Sequence, residues 1–107
     1  MIDKTKLETA LQRKIMRSAE SEFRGEIICF KIKSASIDGV PDVFMGIERY
    51  GGVFVEVKKD EEQDPRVNQK FVIRKLNKAG VKAVAIKSWP AWVSFLEEIK
   101  KVRNVIK

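Results

Sequence analysis

Histidine is absent from this chain of 107 residues, and cysteine occurs once. The missing imidazole excludes Ser-His-Asp and Cys-His catalytic groups, histidine-bearing zinc sites and any histidine general base. Acid–base or metal chemistry must then run on carboxylates, lysine and water. Ligation by oxygen alone selects hard cations such as Mg²⁺ or Mn²⁺. The lone Cys29 cannot close an intramolecular disulfide, which fits a reducing compartment. Inside the apolar run Ile27 to Phe30 it reads as a buried, inert thiol. Long apolar runs are missing too: none approaches the length that crosses a bilayer, and Met1 to Arg13 has no signal-peptide core. The expectation is a soluble protein of the cytoplasm with no membrane partner. Internal repeats, low-complexity segments, interdomain linkers and base-reading modules such as a helix-turn-helix are likewise lacking. One domain over residues 1–107, without sequence-specific recognition, is expected.

What is present is charge of one sign in excess. Lys and Arg number 22 against 15 Asp and Glu, giving a net charge of +7. Basicity alone leaves nucleic acid, an acidic membrane surface and acidic proteins open as partners, with nucleic acid favoured. A hydrophobic share of 44% is ordinary for a globular chain and argues for a real core.

Thr5-Lys6-Leu7-Glu8 has the spacing of a capping box, and Leu7, Leu11, Ile15 and Ala19 follow at four-residue intervals. A helix over about Lys6 to Glu22, ended near Gly25, is predicted. Ile27 to Lys33 reads as a strand with Ile28, Phe30 and Ile32 on one face, and Ser34 to Gly39 as a loop. Asp64-Pro65 supplies a cap and a first-turn proline for a helix marked by Val72, Leu76 and Ala79 and stopped by Gly80. Val81 to Lys87 is a nearly all-apolar strand, expected to be central. Ser88 can cap a last helix whose inner stripe is Trp92, Phe95, Leu96 and Ile99. The order αβββαβα, with a parallel strand-helix-strand crossover from Val53 to Lys87, predicts an α/β fold with a mixed four-stranded sheet flanked by helices.

Between these elements lies a hairpin. Val43 to Ile47 leads into Arg49-Tyr50-Gly51, a three-residue loop with glycine at its left-handed position, and Val53 to Val57 leads out. In that register Glu48 faces Gly52, Phe44 faces Glu56 and Asp42 faces Lys58. Period-two alternation puts Phe54, Glu56 and Lys58 on one face, with Asp42 diagonal to Glu56. Diagonal neighbours stand roughly 7–8 Å apart, within reach of a shared cation. Two carboxylates and a lysine at one strand end are the minimum apparatus for a divalent-metal phosphodiesterase. Glu-X-Lys is common in so charged a chain, and Glu98-Ile99-Lys100 repeats it in the last helix. The strand context and the matching Pro41-Asp42 set Glu56-Val57-Lys58 apart.

Gly39-Val40-Pro41-Asp42, then Gly52-Val53-Phe54-Val55-Glu56-Val57-Lys58, then Gln69 resemble the motifs of the PD-(D/E)XK nuclease superfamily, and within it the VRR-Nuc (virus-type replication-repair nuclease) domain. The resemblance runs from about Leu7 to Trp89. It implies a restriction-endonuclease-like core in which Asp42 and Glu56 bind the metal, helped by the backbone carbonyl of Val57. Lys58 would orient the attacking water and offset charge on the scissile phosphate. Glu8 matches a first-helix glutamate that completes the metal site in relatives, although a capping box explains it equally well; Glu20 and Glu22 are alternatives. Gln69 would position Lys58 or the phosphate, or else simply border the core stripe. Lys33, Ser34, Arg66 and Lys70 flank the proposed site and could contact phosphates. The implied activity is Mg²⁺- or Mn²⁺-dependent cleavage of DNA, selective for structure, such as Holliday junctions or related branches, by a homodimer and with a compact format suggesting a phage or mobile element. The rivals are a non-catalytic basic nucleic-acid-binding domain and a nickase or exonuclease acting on ordinary duplex.

Overall fold

In a computed structural model, which describes residues 4–33, 35–58 and 67–105, the four-residue spacing of Leu11, Ile15 and Ala19 becomes the buried stripe of α1 (Lys4–Glu22). The chain is already helical at Lys4, so Thr5 lies inside α1 and is not its cap. Gly25, at φ 80°, turns the chain after α1 into β1 (Ile27–Lys31). β2 (Val43–Ile47) and β3 (Gly51–Val57) form the hairpin, α2 (Val67–Lys78) follows, then β4 (Lys82–Ile86) and α3 (Trp89–Val105). Asp64, Pro65 and Arg66, expected to open α2, lie outside the described residues, as does Ser34. Gly80, at φ 87°, stops the chain's second helix. Ser88 caps α3 by accepting a hydrogen bond from the Ala91 N–H at 3.2 Å.

The sheet has the order β1-β2-β3-β4, antiparallel through β3 and parallel between β3 and β4. This is the mixed, helix-flanked α/β sheet of a restriction-endonuclease-like fold. Two expectations are corrected by it. β4 is an edge strand, not a central one; its apolar composition arises because α2 and α3 both pack against it. β1 ends at Lys31 rather than Lys33, although the Ile32 N–H still donates to the Asp42 carbonyl at 2.7 Å.

Val43, Met45, Ile47, Val53, Val55 and Val57 point to one side and form the core with α1 and α3, around a fully buried Trp92 and Ile15. Trp92 carries a polar N–H into that core, where it donates to Ser18 Oγ at 3.0 Å. Cys29 also faces this side but is half-buried; desolvation, and then the charge of Glu20, push its thiol up to about 11. It is therefore protonated and inert at neutral pH.

The hairpin register differs from the expected one by two residues: Phe44 faces Phe54, and Gly46 faces Gly52. The loop is Glu48-Arg49-Tyr50, closed by the Tyr50 N–H on the Ile47 carbonyl, and Arg49 takes φ 61° ahead of Gly51 at φ 116°. A slip of two preserves which face each side chain occupies.

An ionic clasp fastens the turn end of the hairpin. Glu26 accepts hydrogen bonds from Arg49 and from Arg103 of α3, and Arg103 Nε also donates to the Glu48 carbonyl at 2.9 Å. Arg103 lies over the Phe23 ring with its guanidinium 4.7 Å from the centroid. Arg103 first, then Arg49, holds the Glu26 carboxyl below the usual carboxylate range. At the other end of the sheet, the β1–β2 connection is pinned to α2. Asn68 Nδ2 donates to Asp38 Oδ2 at 2.7 Å, and Gly39 approaches so closely that a Cβ there would sit 2.5 Å from the Asn68 carbonyl oxygen.

Two outcomes follow. A depressed carboxyl contributes stability above its unfolded pKa and loses it as pH falls through the folded value. Glu26→Gln should therefore lower the melting temperature at pH 7, with the difference from the parent vanishing in acid and shrinking in high salt; a difference that persists unchanged at pH 2 would refute the clasp. Gly39→Ala, at φ 94° and against backbone, should cost more than the roughly 1–3 kcal/mol of a left-handed non-glycine residue alone. Gly25→Ala, at φ 80° with open space around it, supplies that baseline in urea unfolding, and equal losses would show that the contact with α2 is not tight.

Candidate active site

Pro41 decides where β2 and β3 part. It is buried and has no N–H to give the Val57 carbonyl, and the ladder is not continued beyond Val43 opposite Val55. The Val57 N–H turns instead to the side chain of Asp42, at 3.5 Å from Oδ2. Carrying the register one rung past Val43 and Val55 sets Asp42 opposite Glu56, not diagonal to it. Directly opposed residues have Cβ atoms about 4.5–5.5 Å apart, closer than the diagonal spacing.

Both carboxylates leave the sheet on the face of Phe44 and Phe54, opposite to the core face. Glu56 is 1% exposed, and its Oε2 takes no hydrogen bond although the residue has other interactions. Asp42 is half-buried. Lys58 continues the pairing, its N–H donating to the Ile86 carbonyl at 2.9 Å, and alternation sends its half-buried side chain out on the Glu56 face.

Gln69 comes to the same place from α2. It is 5% exposed and lines, with Asp42, Lys33 and the segment Ala35 to Val40, an open cleft of about 410 Å³. Lys33 is exposed at the cleft wall. Lys70 is exposed one residue along α2, on a separate groove with Arg74 and Ala85. Sequence reasoning gave no role to Asp38 and Asn68, whose hydrogen bond joins this loop to the turn of α2 that carries Gln69. The signal available was Gly39 beside Pro41-Asp42, a glycine that only a close backbone approach requires.

The remaining acidic candidates stand elsewhere. Glu22 pairs with Lys100 at 3.1 Å, and Glu20 lies near enough to Cys29 to act on its titration. Glu8 is half-buried on α1, close in sequence to Leu7 and Lys14, which line a groove with Trp89 just after β4. Lys14 sits over the Trp89 ring, 4.2 Å from its centroid. Among the described residues no group of three or more His, Cys, Asp or Glu side chains gathers closely enough to hold an ion, so Glu8 is not joined to Asp42 and Glu56 in this arrangement.

Two like charges directly opposed on a sheet repel unless a cation lies between them. An all-oxygen pair, one member desolvated, suits a hard divalent ion. No helix among the described residues is long and apolar enough to cross a membrane.

No family model and no curated protein matches the chain. Solved structures do. One described as "VRR_NUC domain" superposes with TM-score 0.67 at 24% identity over 79% of this chain and 92% of its own. Another, "VRR_NUC domain protein", gives TM-score 0.72 at 26% identity over 89% of this chain and 88% of its own. The first establishes likeness of fold; the second adds sequence likeness over nearly the whole length of both chains. In its order of elements, its mixed sheet and these matches, the chain is similar to VRR-Nuc domains.

Proposed function

We propose that this protein is a metal-dependent DNA endonuclease that cuts branched DNA, Holliday junctions or related structures, with Asp42, Glu56 and Lys58 as its chemical centre. The observation that carries the reading is the hairpin register, whose last rung is Val43 opposite Val55; one position further on come half-buried Asp42 and buried Glu56, with Lys58 two residues on along the same strand.

Hydrolysis of a phosphodiester needs a nucleophile at neutral pH and relief of the charge that builds on phosphate oxygens. A Mg²⁺ or Mn²⁺ ion supplies both when bound, by acidifying water and withdrawing charge. The side chains of Asp42 and Glu56 would hold it, with the Val57 carbonyl beside them and Glu8 as a further ligand if the first turns of α1 close on the site. Lys58 brings a cation to the phosphate without occupying a ligand position, and orients the water. Gln69 holds the opposite wall of the cleft and fixes the phosphate or Lys58. Lys33, Ser34, Arg66 and Lys70 are the groups assigned to neighbouring phosphates, and they fix the duplex without reading its bases. Cutting both strands of a branch takes two such centres, which a homodimer of this chain provides.

The test is incubation with Mg²⁺ or Mn²⁺ and matched linear, flapped and four-way DNA. Cleavage is expected on the branched substrates, abolished by chelation. Asp42→Asn and Glu56→Gln should each lower the rate at least about a hundredfold, the scale of losing a transition-state charge stabiliser, while DNA binding by gel shift is kept. Binding without cleavage by the parent protein under every metal would instead make it a non-catalytic DNA-binding domain, and equal cleavage of linear duplex would remove the selectivity for branches.

A further inference from the structure

The face that carries Asp42 and Glu56 continues away from them as a row of aromatic rings. Phe30, Phe44 and Phe54 are partners across three neighbouring strands, one rung from the carboxylates. Ring centroids lie 5.4 Å apart between Phe30 and Phe44 and 5.1 Å between Phe44 and Phe54. On the next rung stand two glycines. The tip of the Phe44 ring leans over Gly46 and Gly52, where a Cβ would come within 3.0 Å of it at Gly52 and 3.4 Å at Gly46. The ring is thus laid along the sheet rather than standing on it. α2 packs over β4, and among the described residues it leaves this face of β1 uncovered, with Phe30 46% and Ile28 62% exposed.

We propose that this aromatic row is a stacking surface for unpaired bases of the strand being cut. The inference rests on the nuclease reading for its location and adds the state of the substrate: single-stranded beside the scissile phosphate.

Three observations select this occupant. The row shares its face with the carboxylate pair. The rings follow one another at 5.4 and 5.1 Å from β1 to β3, wider than the roughly 3.4 Å rise of stacked bases in a duplex, so a strand crossing the sheet along the row meets them with its bases unstacked. And exposed Lys33, past the end of β1, lines the cleft that holds Asp42 on a chain of net charge +7, which draws a polyanion and opposes a second copy of itself at this face. Rings accept any base, because every base has a π face; this supplies affinity for an unpaired arm without reading sequence.

The test uses the full chain carrying Asp42→Asn, so that binding is read without cleavage, and flapped DNA with 2-aminopurine in the unpaired arm beside the branch. Phe30→Ala should weaken binding of the flapped DNA about tenfold, abolish the change in 2-aminopurine fluorescence on binding, and leave fully paired duplex binding unchanged. Phe30→Trp should restore both signals, and circular dichroism checks that each variant is folded. Equal weakening on flap and duplex would overturn the proposal. So would conversion of a dimer to a monomer in sedimentation with the fluorescence change intact, since the face would then belong to a second copy. If the parent protein cleaves no DNA yet Phe30→Ala shows the expected loss, the nuclease reading fails and the stacking surface stands. If the parent cleaves and Phe30→Ala changes nothing, the reverse holds.

Discussion

A proline at the last rung of an antiparallel pair organises this molecule. Pro41 has no N–H to offer β3, the ladder is not continued past Val43 opposite Val55, the Val57 N–H donates to the Asp42 carboxylate at 3.5 Å, and the register extended by one position sets Asp42 opposite Glu56. The candidate site is assembled around that break. Behind it, six side chains of the hairpin alternate into the core between α1 and α3 and hold the strands in place. Ahead of it, α2 brings Gln69, and the loop anchored through Asp38, Gly39 and Asn68 forms the wall of the cleft.

Glu56 is buried at the end of β3, where it has interactions of its own. Desolvating a carboxylate opposite another acid is unfavourable by several kcal/mol unless other groups compensate. The rigid apolar side of the sheet makes this tolerable. Its core residues hold the backbone of both strands in register behind the two acids.

Much of this was legible in the sequence because the relevant signals are local or periodic. The four-residue stripe of α1, the Ser88 cap and the glycine stops at Gly25 and Gly80 all reappear. The shared face of Asp42 and Glu56 was legible too, since alternation depends only on parity. Register was not. Loops at residues 48–50 and 49–51 satisfy the same pattern of β-formers, and what separates them is the Phe44 ring filling the space over Gly46 and Gly52, a contact across strands. Apolar Val81 to Lys87 misled for a similar reason: hydrophobicity reports how many faces are covered, and β4 is covered on both while lying at an edge. The reach of Glu8 depends on how the start of α1 meets the sheet, which no spacing along the chain encodes.

Clasp and candidate site occupy opposite ends of the hairpin. Five residue steps from Asp42 to Ile47 put them about 17 Å apart, with an apolar floor between. A surface ion network is sensitive to ionic strength, whereas paired acids need a cation and tolerate little rearrangement. Their separation lets the lineage adjust the first to a saltier or hotter habitat, trading Arg49 or Arg103 for other contacts, without retuning the second. The same partition gives a designer a modular handle: the turn can be rewritten as a fusion point while the reactive rim is left alone.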